Sequence, residues 1–341
     1  MGALRFAAVG AGFWARPQLA AWREVAGATC VAICNRTVRK AEALASEFGI
    51  PKVYADPLEL LRREELDFVD IITAPELHEA HVLAAASRGV AVICQKPMAL
   101  SLASAERMVA ACAAARVPFF VHENFRWQTA IREVKRVLLE GTIGTPYRAR
   151  LQLISGAPVF ENQPFFRDLE QFLLTDMGSH QLDVARYLFG EAGSLICHID
   201  RIHSDIKGED VATVMLRMRS KVTVVVFMAY AENFIEHDRN PETFMFIEGS
   251  KGSLELGPDY WVRVTTSSGT HAKRFSPPRY PWADPAYEVV QASIVPCHQN
   301  LLGALRGEGA AETRAEDNLE TARLVFAAYD SAATGQAMKF S

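Results

Sequence analysis

Cysteine is scarce and scattered, with six residues in 341, at positions 30, 34, 94, 112, 197 and 297, and no Cys-x-x-Cys pair. Their mostly apolar neighbourhoods predict buried free thiols, which excludes a disulfide scaffold and points to a reducing cytoplasm. Long hydrophobic runs are missing too. Residues 222–231 are among the longest apolar stretches, well short of the ~18 residues of a membrane span, so no membrane partner is expected. Positive charge is not in excess: 36 Lys+Arg face 40 Asp+Glu, a net charge of −4. That balance leaves no basic footprint for nucleic acid. Residues 1–6 lack the charged start and apolar stretch of a signal peptide, and Phe6 stands where myristoylation wants Ser or Thr. No repeat or low-complexity linker breaks the chain.

What is present is a sequence that is half hydrophobic and 22% charged. Wholesale disorder is thereby excluded, and 341 residues are more than one ordinary core needs. The first third alternates short strand-like runs with helical patterns. Residues 4–9, 29–34, 68–73, 90–94 and 119–122 read as strands. Residues 15–25, 39–48, 75–89 and 102–115 read as helices, with Gly49 and Gly89 as stops and Pro75 at a helix start. This alternation predicts a doubly wound parallel sheet of Rossmann type over residues 1–123.

After about residue 145 the pattern changes. Residues 147–155, 195–203, 211–218, 222–230 and 244–247 are strand-like without intervening helices, and turns fall at Lys251-Gly252 and Pro258-Asp259. Helical segments are expected at 178–189, 286–306 and 315–334, the last behind Thr313-Arg314-Ala315-Glu316, a capping-box pattern. Residues 124–341 therefore read as an α+β domain with a large, mostly antiparallel open sheet, whose C-terminal helix packs back on the first domain.

Gly10-Ala11-Gly12-Phe13-Trp14-Ala15 joins the first strand to the first helix. Two glycines permit a sharp turn and close backbone approach to a pyrophosphate, and the helix N-terminus offers unpaired N–H groups. The end of the second strand holds Asn35-Arg36-Thr37, with Arg39 and Lys40 behind. An acid here would bind the ribose of NAD; a neutral Asn35 removes repulsion of a 2′-phosphate, and Arg36 would pair with one. The reading leans to NADP, while an Asn35 bonded to the ribose of NAD stays open. Lys96, before Pro97, ends a parallel strand, the edge where open α/β sheets bind ligands. Pro97 fixes its direction, through an extended residue 96 or a cis bond. Asp176, His180, Asp183 and Tyr187 share one helical face. Singly, Asp176 reads as an N-cap and His180 as a core histidine.

Taken together, Gly10-x-Gly12-x-x-Ala15, Val69-Asp70-Ile71-Ile72-Thr73 and Cys94-Gln95-Lys96-Pro97-Met98-Ala99 resemble the glucose–fructose oxidoreductase, inositol dehydrogenase and rhizopine-catabolism (Gfo/Idh/MocA) family. Asp176-x-Gly178-x-His180-x-x-Asp183, Glu248-Gly249-Ser250-x-Gly252 and Asp317-Asn318 extend the likeness through nearly the whole chain. The resemblance implies an NAD(P)-dependent dehydrogenase or reductase acting on a carbinol carbon of a sugar, polyol or sugar derivative. It implies Lys96 as substrate-binding lysine, and Asp176 and His180 as catalytic residues. Gln95 and Gln181 depart from the family's usual acids. The strings around Lys96 and residues 121–128 look most like the D-apiose dehydrogenase branch, which oxidises an aldose to its lactone.

Chemistry agrees with those roles. Hydride leaves a carbinol as its hydroxyl gives up a proton, so His180 suits a general base and the Lys96 ammonium suits the developing alkoxide. Asp176 is expected to bind substrate or orient the histidine. The expected dinucleotide set is Gly10, Gly12, Phe13, Trp14, Asn35, Arg36, Thr73, Pro75, His78, Gln95 and Lys96. The expected substrate set adds Asn124, Arg126, Trp127 and Phe166 to Lys96, Asp176 and His180. The alternatives for these four are domain-joining packing and, for Phe166, a plain surface loop. His78-Glu79-Ala80-His81 lacks zinc-protease spacing, so no metal is expected. Further expectations are a homodimer or homotetramer through the C-terminal sheet, and a catalytic set drawn from both domains, so that neither works alone. An NAD-dependent glycosidase and a non-catalytic nucleotide-sensing regulator are the competing readings, the latter disfavoured by the intact lysine, aspartate and histidine.

Overall fold

A computed structural model describes residues 2–231 and 242–340. The chain divides into two compact units, one of Met1–Glu123 with Ile294–Ala322, the other of Asn124–Ser293 with Arg323–Ser341.

The first unit runs β1 (Leu4–Val9), α1 (Ala15–Arg23), β2 (Ala28–Cys34), α2 (Val38–Phe48), β3 (Val53–Tyr54), α3 (Pro57–Arg63) and β4 (Phe68–Ile71). It continues through a 3₁₀ turn (Pro75–Leu77) into α4 (His78–Ser87), β5 (Ala91–Gln95), α5 (Leu102–Ala115) and β6 (Phe119–His122). The six strands lie in the order β3-β2-β1-β4-β5-β6, all parallel, the doubly wound sheet expected from the sequence. Alternation explains the composition. Ala7, Val9, Ala32 and Cys34 enter one core while Ala8 and Ile33 enter the core on the opposite face, so both faces are covered and the strands are continuously apolar. Residues 50–67, unassigned from sequence, supply β3 and α3. Two residues of β3 are too few to show a period. The start of α3 was legible, with Pro57 in its first turn and the Asp56 carboxylate accepting the Leu58 and Glu59 N–H groups.

The second unit contains α6 (Thr129–Glu140), β7 (Pro146–Ser155), α7 (Val159–Asn162), a 3₁₀ turn (Pro164–Asp168), a π-helical turn (Leu174–Gly178), α8 (Ser179–Phe189), β8 (Ala192–Asp200), β9 (Val211–Met218) and β10 (Thr223–Tyr230). Then come β11 (Phe244–Gly249), β12 (Gly252–Gly257), β13 (Trp261–Thr266) and β14 (Gly269–Arg274). After them run α9 (Glu288–Leu305) and α10 (Ala315–Thr334), each reaching into both units, and finally β15 (Met338–Lys339). The nine strands form one sheet, β14-β13-β12-β11-β7-β10-β9-β8-β15, antiparallel except where β7 meets β10. Ala212, Val214, Leu216 and Met218 of β9, with Val224, Val226 and Met228 of β10, are buried. The alternate positions form a different face. Across it, Ile196, Met215, Val225, Arg150 and Phe246 are register neighbours in one row, and Met215 and Phe246 are exposed.

One local expectation is corrected. The capping-box reading made Thr313 the cap of the last helix, but α10 begins at Ala315 and the Thr313 hydroxyl is buried with no hydrogen-bond partner. The reason is tertiary: the Thr313 carbonyl accepts the Val121 N–H and Arg314 forms an isolated bridge with Phe120, so the edge of β6 claims the residues before the helix.

Candidate active site

In the first unit the Gly-rich turn is set by one close approach. Gly10 has φ +118°, and a Cβ there would sit 2.3 Å from the Ile72 carbonyl oxygen, so only glycine permits β1 and β4 to end this close together. A Cβ on Gly12 would meet nothing within 4 Å, leaving its outer side open. Helix α1 has no side-chain cap and no acid in its first turn, which leaves the partial positive charge of its start for an anion. Phe13 is exposed and packs edge-on against Trp14.

Asn35 serves the turn itself. Its Oδ1 accepts the Ala11 N–H at 3.1 Å and its Nδ2 donates to the Thr37 carbonyl at 3.0 Å. The side chain holds the backbone in which Arg36 lies exposed. At the ends of β4 and β5, Thr73 Oγ1 and Gln95 Nε2 are buried without a partner. Such groups are costly unless something bonds them. Beside an uncapped helix start at the carboxyl edge of a parallel sheet, they fit a dinucleotide.

His78 has a different surrounding from an open ligand contact. It is fully buried, with Nε2 3.1 Å from the Thr73 carbonyl and Nδ1 3.1 and 3.2 Å from those of Pro97 and Met98. Burial pushes its pKa below the usual imidazole value. The ring ties the end of β4 to the Lys96-Pro97-Met98 turn, in which the Lys96–Pro97 bond is cis. Lys96 is half-buried at the end of β5, and Pro75 opens the 3₁₀ turn before α4.

In the second unit the helix carrying the other two residues begins earlier than the sequence suggested. Asp176 lies inside the π-helical turn Leu174–Gly178, not at an N-cap, and α8 follows with His180 in its first turn. The Asp176 carboxylate accepts the Tyr230 hydroxyl at 2.7 Å. Burial first, and the adjacent Asp176 charge second, hold the Tyr230 phenol well above its usual range. His180 is buried, its ring stacked on Phe125 at 3.7 Å and 10°. Tyr230 had no local signal beyond being the polar-tipped aromatic at the end of an alternating strand, 54 residues from its partner.

In the segment after β6, Arg126 and Asn124 have partners within their own unit. The Arg126 guanidinium forms a buried fork with Asp183, Nε to Oδ2 at 2.8 Å and Nη2 to Oδ1 at 2.5 Å. Asn124 donates to the Val290 carbonyl at 3.0 Å and to Ser293 Oγ at 2.8 Å. Phe166 is buried with Val159, Phe172 and Ile206, and its neighbour Phe165 is the exposed ring. Trp127 is half-buried beneath the Arg132 guanidinium, its Nε1 buried without a partner. Among the described residues no cluster of three or more His, Cys, Asp or Glu has metal-binding geometry.

Two family models match this chain. The oxidoreductase family with NAD-binding Rossmann fold, Gfo/Idh/MocA, covers residues 4–123, and the GFO/IDH/MocA C-terminal domain covers residues 131–255. The chain belongs to the Gfo/Idh/MocA oxidoreductases. It is an NAD-dependent dehydrogenase with a dinucleotide-binding Rossmann domain. A D-apiose dehydrogenase of Paraburkholderia graminis is 43% identical over 98% of this chain and 88% of that enzyme. Another D-apiose dehydrogenase, from Rhizobium rhizogenes, is 40% identical over 98% of this chain and 96% of its own length. A crystal structure of an Agrobacterium radiobacter oxidoreductase with NAD+, L-tartaric acid and magnesium superposes with a TM-score of 0.96. It is 39% identical, with 98% of both chains covered. No helix among the described residues is long and apolar enough to cross a membrane.

Proposed function

We propose that this protein oxidises D-apiose to its lactone. The observation that supports this most strongly is the identity of 43% and 40%, over 98% of the chain, with two D-apiose dehydrogenases. A bound nicotinamide supplies the hydride acceptor. The chain's own residues handle the oxygen. Lys96 places an ammonium against the anomeric hydroxyl and stabilises the negative charge that grows as its proton departs. His180 takes that proton, and its stacking on Phe125 fixes the ring plane. Asp176, steadied by Tyr230, orients the substrate or the histidine. Trp127 offers its unpartnered Nε1 to a sugar hydroxyl. The balance is one C–H hydride and one hydroxyl proton lost per C=O formed. Conversion of D-apiose should yield the lactone by NMR with one reduced nicotinamide per product; reduced cofactor without lactone would overturn the assignment.

Cofactor choice follows from Asn35 and Arg36. NAD is accepted, and NADP as well, because no carboxylate at position 35 repels a 2′-phosphate and the exposed Arg36 side chain pairs with it. Arg36→Ala should raise KM for NADP roughly tenfold, the worth of about one charge-assisted hydrogen bond, while leaving KM for NAD within about twofold. An equal rise for both cofactors would contradict this.

The row Ile196, Met215, Val225 and Phe246 on the large sheet, apolar except for Arg150 between the last two, supports association of two or four copies through that face. Light scattering should give a dimer or tetramer that Met215→Glu dissociates; a wild-type monomer would sink this. All six cysteines are free thiols, five of them buried, in keeping with a cytoplasmic location.

A further inference from the structure

The helix that bears Asp176 and His180 starts in the interior of its unit, where its first N–H groups need partners. A residue distant in sequence provides nearly all of them. Glu209, itself buried, accepts the Phe172 N–H on Oε2 at 3.1 Å and the Leu174 N–H on Oε1 at 2.9 Å. Its backbone carbonyl takes the Leu173 N–H at 3.3 Å. The Tyr329 hydroxyl donates to the same Oε1 at 2.7 Å and receives the Thr175 N–H at 3.2 Å. Four consecutive N–H groups, 172 to 175, thus end on one carboxylate-bearing residue and the phenol it holds. A negative charge at a helix N-terminus is also favourable to the helix dipole.

The approach is built into the chain. A Cβ on Gly208 would lie 2.6 Å from the Leu169 carbonyl oxygen and 3.0 Å from Phe172 Cβ, so glycine there lets the Glu209 segment press against the helix start. The last two of the four anchored N–H groups, those of Leu174 and Thr175, already belong to the π turn that holds Asp176. Such a turn shifts register between the residues before and after it, and it persists only where its surroundings fix it.

We infer that Glu209, with Tyr329, is a positioning residue for Asp176, locking the π turn that aims this carboxylate. The inference rests on the proposed role of Asp176. Glu209 and Tyr329 hold the backbone N–H groups of residues 172 to 175, so their action on Asp176 is through the backbone. Gln at 209 retains one acceptor oxygen but turns an NH₂ toward one of the N–H donors, so the anchor is weakened without a change of shape.

The test is a double-mutant cycle in the full-length protein, with kcat and KM for sugar and cofactor measured in wild type, Glu209→Gln, Asp176→Asn and the double variant. Glu209→Gln should lower kcat about tenfold, with KM for NAD unchanged. In the Asp176→Asn background the same change should cost less than about twofold, because the group being aimed is already disabled. Tyr329→Phe should repeat the pattern in milder form and serves if the first variant fails to fold. Full, multiplicative effects in both backgrounds would overturn the inference in favour of a general structural role, as would wild-type kinetics of Glu209→Gln and Tyr329→Phe beside an impaired Asp176→Asn. Wild-type kinetics of Asp176→Asn would instead overturn the proposed function on which it rests.

Discussion

Replacing Lys96 with methionine is expected to lower kcat/KM by about 10³, with KM for NAD changed by less than about threefold. Methionine keeps the length and apolar stem of lysine but removes the charge, so the Rossmann core should be undisturbed. Lys96 stands one residue beyond the buried end of β5, and its turn is pinned by His78 through the Pro97 and Met98 carbonyls. That fixes the backbone from which the lysine extends, and a charge placed in advance matters most where negative charge develops in the transition state. Hence kcat should fall along with kcat/KM, which steady-state rates at saturating NAD would show. A Lys96→Met enzyme at wild-type rate would remove lysine from the chemistry. A rise in KM alone would assign it to uniform substrate binding.

His180→Gln should reduce kcat by about 10²–10⁴, the usual contribution of a general base. It should also remove the acid limb from the pH dependence of kcat/KM. Below that limb the wild-type imidazole is protonated and cannot accept the hydroxyl proton. Activity of the wild type therefore falls as pH drops, whereas the glutamine variant's low residual rate, with water as the proton acceptor, should stay flat across that range. Glutamine preserves most of the buried volume against Phe125, so folding and cofactor binding serve as controls. Retention of the limb in His180→Gln would place the base elsewhere.

These two residues show how unevenly the site could be read from sequence. Lys96 and the Gly10 turn are local signals: Gly10, where a Cβ would have no room, directly follows β1, and Lys96-Pro97 directly follows β5. The four-residue spacing of Asp176 and His180 was equally visible, but the π turn between them was not, because its anchors come from Glu209 and Tyr329. Asn124 and Arg126 read as hydroxyl ligands because composition gives their chemistry and not their partners. The fold supplies Ser293 to the Asn124 amide nitrogen and Asp183 to the Arg126 guanidinium, both more than fifty residues away. Phe166 and Phe165 were indistinguishable in the sequence, and only packing decides which ring is exposed. In the large sheet the alternation of Ala212, Val214, Leu216 and Met218 gave strands and their buried face, since period two is intrinsic to the backbone. The parallel pairing of β7 with β10 joins strands far apart in the chain and has no such local mark.

Initial rates of the wild-type protein with NAD, for D-apiose against common aldoses, inositols and sugar acids, test most directly whether Lys96 and His180 serve the oxidation of D-apiose. The expected result is a kcat/KM for D-apiose at least about tenfold above every other compound, with formation of reduced nicotinamide. A clear preference for an inositol or sugar acid, or cofactor binding with no turnover of any sugar, would contradict it.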